Sequence, residues 1–316
     1  MTRLKLTMSL LFSIVPLGVQ TRYVVTDLGS LGGVNPFEAS ASPASAQSIN
    51  NAGQVAGYSY LPNNGGTRGF RTAPNSPINP ATDAIPTLGG TSSAASAINS
   101  SGQVAGYAKL ANGHTHAMRV DADGSVHDLG LLSGTVDFSL ANGINDLGQV
   151  TGASWHSTPA SGAPCFSLGG SVAFETAANS AMGVGSDLGT LLSNCRGSDG
   201  YAIDASGRVV GYSAFGNVGD PVQHAMVYIP GTGMRDLGVL GGSVRFPAAS
   251  GINAVAYGIN SSGQIVGQST YNGAPDYTDT HAFLTTTAGG PMTDLGTLGG
   301  SFSAAFGINE IGRAHV

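Results

Sequence analysis

One nine-residue pattern, Ile-Asn/Asp-x-x-Gly-Gln/Arg-Val/Ile-x-Gly, constrains this chain more than any other feature. It starts at Ile49, Ile98, Ile144, Ile203 and Ile259, and a sixth copy opens at Ile308. Successive starts lie 49, 46, 59, 56 and 49 residues apart. Self-similarity at that period marks a series of supersecondary units, each too small to bury its apolar face alone.

Two further elements keep step with it. Asp-Leu-Gly precedes the copies at Asp27, Asp128, Asp187, Asp236 and Asp294, usually followed by Leu-Gly-Gly, and the second unit keeps only Thr87-Leu88-Gly89-Gly90. After the copies come His116-Ala117-Met118, His224-Ala225-Met226 and His281-Ala282-Phe283, with Arg68-Gly69-Phe70 and Pro164-Cys165-Phe166 as divergent versions. Each unit thus holds four short apolar segments in a fixed order.

These segments read as strands. Gln264-Ile265-Val266-Gly267-Gln268-Ser269 is too short and too interrupted by glycine for a helix, and β-branched residues favour a pleated surface. Asn260-Ser261-Ser262-Gly263 reads as a hairpin turn, Asn accepting backbone bonds at its start and Gly supplying the left-handed conformation that closes it. Asp204 takes the Asn place in the fourth copy by the same mechanism.

Four strands in about 45–60 residues match a propeller blade, while spacings that vary from 46 to 59 residues argue against the uniform coils of a β-helix. Face-to-face blades also account for apolar or small residues at successive positions, where a half-exposed sheet would alternate. The expected fold is all-β: a β-propeller of four-stranded blades over residues 21–309, with five complete units and a partial sixth.

The motifs also resemble a known family. Asp-Leu-Gly-x-Leu-Gly-Gly, then Gly-Ile-Asn-x-x-Gly-Gln-x-x-Gly, then His-Ala-Phe is similar to the HAF repeat of extracellular bacterial proteins, over nearly the whole stretch from Tyr23 to Gly307. The resemblance implies export, tandem repeats and a propeller, and it brings no assigned catalytic residue or ligand.

The two ends read differently from the repeats. Residues 1–20 have the layout of a secretory signal peptide, Arg3 and Lys5 preceding an uncharged apolar run from Leu6 to Val19, shorter than the ~20 residues of a spanning helix. A secreted or cell-surface protein is expected, with no membrane span in the mature chain. Glu310 to Val316 resembles the translation of a short-read sequencing adapter, which would truncate the sixth unit and make the chain a fragment; a divergent natural terminus is the alternative. Cys165 and Cys195 are the only cysteines, and in an oxidising compartment a disulfide between them is the expectation.

Chemistry is sparse. Only 9% of residues are charged, with a net charge of −6 and no block of Lys and Arg, so a nucleic-acid partner is not expected. No nucleophile elbow, zinc-protease helix or phosphate loop occurs, and no cofactor is implied. His116, His224 and His281 recur once per unit, as a structural group does and a catalytic group does not. Asp121-Ala122-Asp123-Gly124 opens like a calcium loop but has Leu132 where the bidentate Glu belongs, so it reads as a turn and no metal site is expected.

Binding chemistry is expected in the segments between the Val-x-Gly strand and the His-Ala-Phe strand. They vary in length and carry Tyr60, Trp155 and His156, then Tyr271, Asp276, Tyr277 and Asp279. Variable loops on a rigid frame are where binding resides, and aromatic faces with polar neighbours suit sugars or protein surfaces. The expected function is an exported, noncatalytic scaffold that binds glycan or protein; the alternative is a secreted propeller hydrolase or lyase acting on polysaccharide.

Overall fold

The computed structural model describes residues 25–33, 44–132, 138–155, 170–192, 197–217, 220–240, 254–271 and 279–315. Strands make up 51% of the described residues, and no α-helix occurs among them, as the all-β expectation requires. Each copy of the nine-residue pattern is a hairpin, because Asn and Gly bend the chain between a strand ending in Ile and a strand beginning, in the first five copies, with Val or Ile. The first unit is β1 (Ala44–Ile49), β2 (Val55–Tyr60) and β3 (Thr67–Arg71); the second is β4 (Gly89–Ile98), β5 (Val104–Leu110), β6 (Thr115–Val120) and β7 (Val126–Gly130). The third is β8 (Phe138–Ile144), β9 (Val150–Trp155) and β10 (Ser171–Glu175). The fourth is β11 (Ser198–Ile203), β12 (Val209–Asn217), β13 (Asp220–Ile229) and β14 (Gly233–Gly238). The fifth is β15 (Ala254–Ile259), β16 (Ile265–Thr270), β17 (Thr280–Thr285) and β18 (Met292–Asp294), and the sixth begins with β19 (Gly307–Ile308) and β20 (Ala314–His315).

Within each unit neighbouring strands pair antiparallel in sequence order, and one parallel bridge, Thr115 to Phe138, links the second and third sheets. In the first and third units the fourth segment shrinks to a single bridge, Phe70 to Ala84 and Phe174 to Asp187. The pairings described include three four-stranded arrangements and do not include one that closes the sheets into a ring.

The register revises the unit in two respects. Asp-Leu-Gly comes first in sequence order, yet it pairs backwards as the fourth strand of the preceding sheet: Met118 lies opposite Asp128, Met226 opposite Asp236 and Phe283 opposite Asp294. The third unit's His-Ala-Phe equivalent is Val172-Ala173-Phe174, since Phe174 pairs with Gly152 as Phe283 pairs with Gly267. Pro164-Cys165-Phe166, assigned to that role from sequence, lies in an insertion outside the described residues, as do Cys165 and Cys195 and residues 1–20.

One backbone irregularity explains the Val-x-Gly glycine. The strands β1, β4, β8, β11 and β15 all skip register two residues before the repeat Ile, leaving Gln47, Ser96, Asn142, Tyr201 and Tyr257 bulged. The carbonyl two residues earlier is pushed onto the neighbouring strand, where a Cβ at Gly57, Gly106, Gly152, Gly211 or Gly267 would collide with it. The space over the glycine is filled by the side chain opposite: Phe70, Met118, Phe174, Met226 and Phe283, all fully buried. Removing such a Phe costs ~3–5 kcal/mol.

Serine hydroxyls stitch unit to unit. Ser93, Ser139, Ser198 and Ser303 accept the N–H of Gly69, Ala117, Ala173 and Ala282 in the unit before. Ser59, Ser154, Ser213 and Ser269 accept the N–H of Leu31, Leu132, Leu191 and Leu240, two residues after each Asp-Leu-Gly. Such bonds leave few buried polar groups unmet between the sheets.

Candidate functional site

The hairpin turns converge. Residues from all six, including Ile49, Ile98, Ile144, Ile203, Ile259 and Glu310, line one cavity of about 290 Å3. The turn Asn explains how they are held. Asn99 Oδ1 accepts the Gln103 N–H, closing its own turn, while its Nδ2 donates to Gln103 Oε1 and, at 3.0 Å, to the Asn145 carbonyl of the next unit. Asn50 donates likewise to Asn99 O, Asn145 to Asp204 O and Asn260 to Asn309 O. Asp204 has no amide to donate, and Arg208 replaces it: Nε bonds Asp204 Oδ2 at 2.6 Å, and a terminal nitrogen reaches the Ser261 carbonyl at 2.9 Å. Acidic side chains on the rim are engaged in the same linkage, Asp146 accepting the Ser100 N–H and Glu310 the Ser261 N–H and hydroxyl.

Farther along the same first strands lie the bulged residues. Their flanks are always Ala, Gly or Ser, whereas they range in size and chemistry: Gln47, Ser96, Asn142, Tyr201, Tyr257 and, at the equivalent place, Phe306. The last three form a row across three units. The Tyr201 and Tyr257 rings meet edge-on at 5.5 Å between centroids, and the Tyr257 and Phe306 rings lie 5.1 Å apart. Phe306 is 61% exposed at the open end of the row.

At the other end Asn142 donates from Nδ2 to Asp199 Oδ1 and to the Gly200 carbonyl. Asp199 is buried between the third and fourth units, and burial pushes its carboxyl up to about 7 against the opposing Asn142 and Gly200 bonds. Burial and then the Asp199 charge raise the Tyr201 and Tyr212 phenols. No other unit has an acid at this strand position, where Ser45, Ala94, Leu140 and Val255 stand.

The described loop residues expected to bind belong to the first, third and fifth units. Tyr60 closes β2 opposite Thr67; Trp155 closes β9 and packs edge-on against Phe138 at 4.8 Å. Tyr271 lies flat on His281 at 4.2 Å, and its N–H donates to the Asp279 carbonyl. Phe215 covers His224 in the same way at 4.3 Å. These ring contacts stay within single units, whereas the bulge row crosses seams. His156, Asp276 and Tyr277 lie outside the described residues.

The repeated histidines are structural in geometry. His116, His224 and His281 place Nδ1 2.8–3.0 Å from Asp128, Asp236 and Asp294 of the fourth strand. Asp121 to Ser125 is a tight turn joining β6 to β7. Burial opposes ionisation of Asp121, but bonds from Arg119, Gln103 and His127 outweigh it and hold the carboxyl at about 2. No group of three potential metal ligands occurs among the described residues.

Compared with known proteins, the chain matches no family model and no curated sequence. Among the described residues, no helix is long and apolar enough to cross a membrane.

Proposed function

We propose that this chain is an exported, noncatalytic β-propeller of four-stranded blades that binds glycan at its first strands. The radial arrangement is supported by six equivalent turns around one cavity and by contacts that run from each first strand to the next. Export is supported by the leader-like residues 1–20, and an extracellular bacterial setting by the resemblance to HAF repeats.

The observation that carries the binding reading is the row Tyr201, Tyr257 and Phe306, ending at the Asn142 amide. The repeat keeps its flanks small, Ala, Gly or Ser, while this position takes Gln, Ser, Asn, Tyr or Phe, as a binding position on a fixed scaffold does. Aromatic faces suit the C–H faces of sugar rings, and a planar amide suits their hydroxyls.

A glycan array on the intact chain is the test. Binding to a defined glycan class that falls at least ~10-fold in Tyr257→Ala and Phe306→Ala, with unchanged thermal unfolding, supports the reading. No glycan binding, or binding indifferent to both changes, overturns it and favours protein adhesion. Reducing-sugar release from a polysaccharide panel, lost in Asp199→Asn, would instead favour the hydrolase or lyase.

A further inference from the structure

One position of the repeat changes the sign of its charge. On the third strand, the residue paired with the middle of Val-x-Gly is Arg71, Arg119, Glu175, Val227 and Leu284 in the first to fifth units. Arg71 donates at 2.6–2.9 Å to the Gly102, Asp121 and Ala122 carbonyls, which belong to two turns of the next unit. The Asp123 and Asp83 charges favour that cation, and Arg119 pairs with Asp121. Glu175 has no such balance. The Arg71 N–H donates to the Asp83 carbonyl and the Glu175 N–H to the Ser186 carbonyl, so a neutral Ser stands in the place of Asp83. The Asp204 charge also acts on Glu175, and Arg208 is already bonded to Asp204.

Glu175 also lines a cavity of about 390 Å3, together with Gln149, Ala177, Ala181, Val184 and Ser186, and it is the one charged residue of the lining. Gln149 Nε2 donates to Glu175 Oε1 at 2.8 Å and so orients the carboxylate. A carboxylate with one bond of this kind keeps lone pairs for two further donors. A Cβ at Gly207 would lie 3.0 Å from Glu175 Oε1 and 3.3 Å from the Pro230 ring. Gly207 and Pro230 belong to the two turns of the fourth unit that correspond, in the second, to those that Arg71 reaches. Val184, between two glycines, has its apolar side chain fully exposed at the cavity's edge.

From this exchange of sign we infer that the Glu175 cavity binds a small alkylguanidinium molecule, whose cation meets Glu175 in the place where the first unit uses its own Arg71. Two parallel N–H groups of the ligand face the carboxylate, an arrangement that a planar guanidinium makes and a compact ammonium does not. The alkyl chain lies against Ala177, Ala181 and Val184. No cation lines the cavity to receive a ligand carboxylate, so the guanidinium is the ligand's only charge. The site shares no residue with the aromatic row and is independent of the glycan reading.

The test is an NMR titration of the full chain with butylguanidinium above pH 7, where Glu175 is charged. Saturable 1:1 binding is expected, with amide shifts centred on Gln149 and on residues 175–186. Glu175→Gln keeps an oxygen for Gln149 and is expected to weaken binding at least ~10-fold, with thermal unfolding no lower than in the native chain. Glu175→Arg combined with Ser186→Asp copies the first unit and is expected to abolish binding, because the chain then supplies the guanidinium itself. No saturable shift, shifts centred elsewhere, binding that survives either variant, or butylammonium binding as tightly overturns the proposal. Tighter binding of N-acetylarginine amide than of butylguanidinium also overturns it, and assigns the cavity to an arginine of a protein partner.

Discussion

At the scale of single residues, two kinds of glycine serve different ends, and substitution separates them. Gly152 sits against the Leu140 carbonyl with no room for a methyl group; Gly152→Ala is expected to cost about 3 kcal/mol in urea denaturation. Gly231 has open space but φ 75°, so Gly231→Ala costs only ~1 kcal/mol. The turn Asn is equally testable. Asn99→Ala strands the Gln103 N–H and the Asn145 carbonyl and is expected to cost roughly 2–3 kcal/mol. Asn99→Asp with Gln103→Arg copies the Asp204 and Arg208 pair, and a double-mutant cycle is expected to show about 1 kcal/mol of favourable coupling. Turn chemistry of this kind was legible in the sequence, because Asn and Gly act locally. The reason for the Val-x-Gly glycine was not, since it depends on a bulge in another strand. Tyr201, Tyr257 and Phe306 escaped notice because their position does not keep its residue type, and that variability was the available signal.

At the scale of elements, the seam between the third and fourth units is set apart by its acids. Asp199 and Glu175 both lie there, burial raising each to about 7, with the Asp204 charge adding to the effect on Glu175. The charged groups nearby are Asp204 and Arg208, and Arg208 is already bonded to Asp204. A carboxyl whose folded pKa exceeds its unfolded value binds a proton more tightly when folded. Stability is therefore highest below about pH 4, declines as pH rises to about 7, and levels off beyond. For buried Asp199 the slope is at most about 1.4 kcal/mol per pH unit. Denaturation midpoints are expected to fall between pH 5 and pH 8 in the native chain and to change much less in Asp199→Asn. Asp121, held at about 2, acts in the opposite direction but only below about pH 4. Strand order was readable from the motifs; the sheet boundary was not, because Asp-Leu-Gly precedes one hairpin while pairing with the strand behind it. The third unit's Val172-Ala173-Phe174 was hidden by a long insertion that offered Pro164-Cys165-Phe166 as a nearer match.

At the scale of the whole molecule, the apolar core is divided among the seams, and hydrogen bonds between units run to the next neighbour. Gly57→Ala and Gly267→Ala, in the first and fifth units, are therefore expected to add within about 0.5 kcal/mol when combined; a larger discrepancy in denaturation would reveal strain passed across several units. The link from turn to turn has a consequence for how such a chain arises. Its donor is a side-chain amide, but its acceptor is a main-chain carbonyl, which every residue possesses. This amide-to-carbonyl bond therefore does not depend on the side chain that follows, although Asp146 and Glu310 add side-chain acceptors at two of the joints, and Asp204 with Arg208 shows that even the donor can change hands. A chain with one unit duplicated or removed is therefore expected to keep these turn-to-turn bonds at the new junction, while its bulged residues are free to differ.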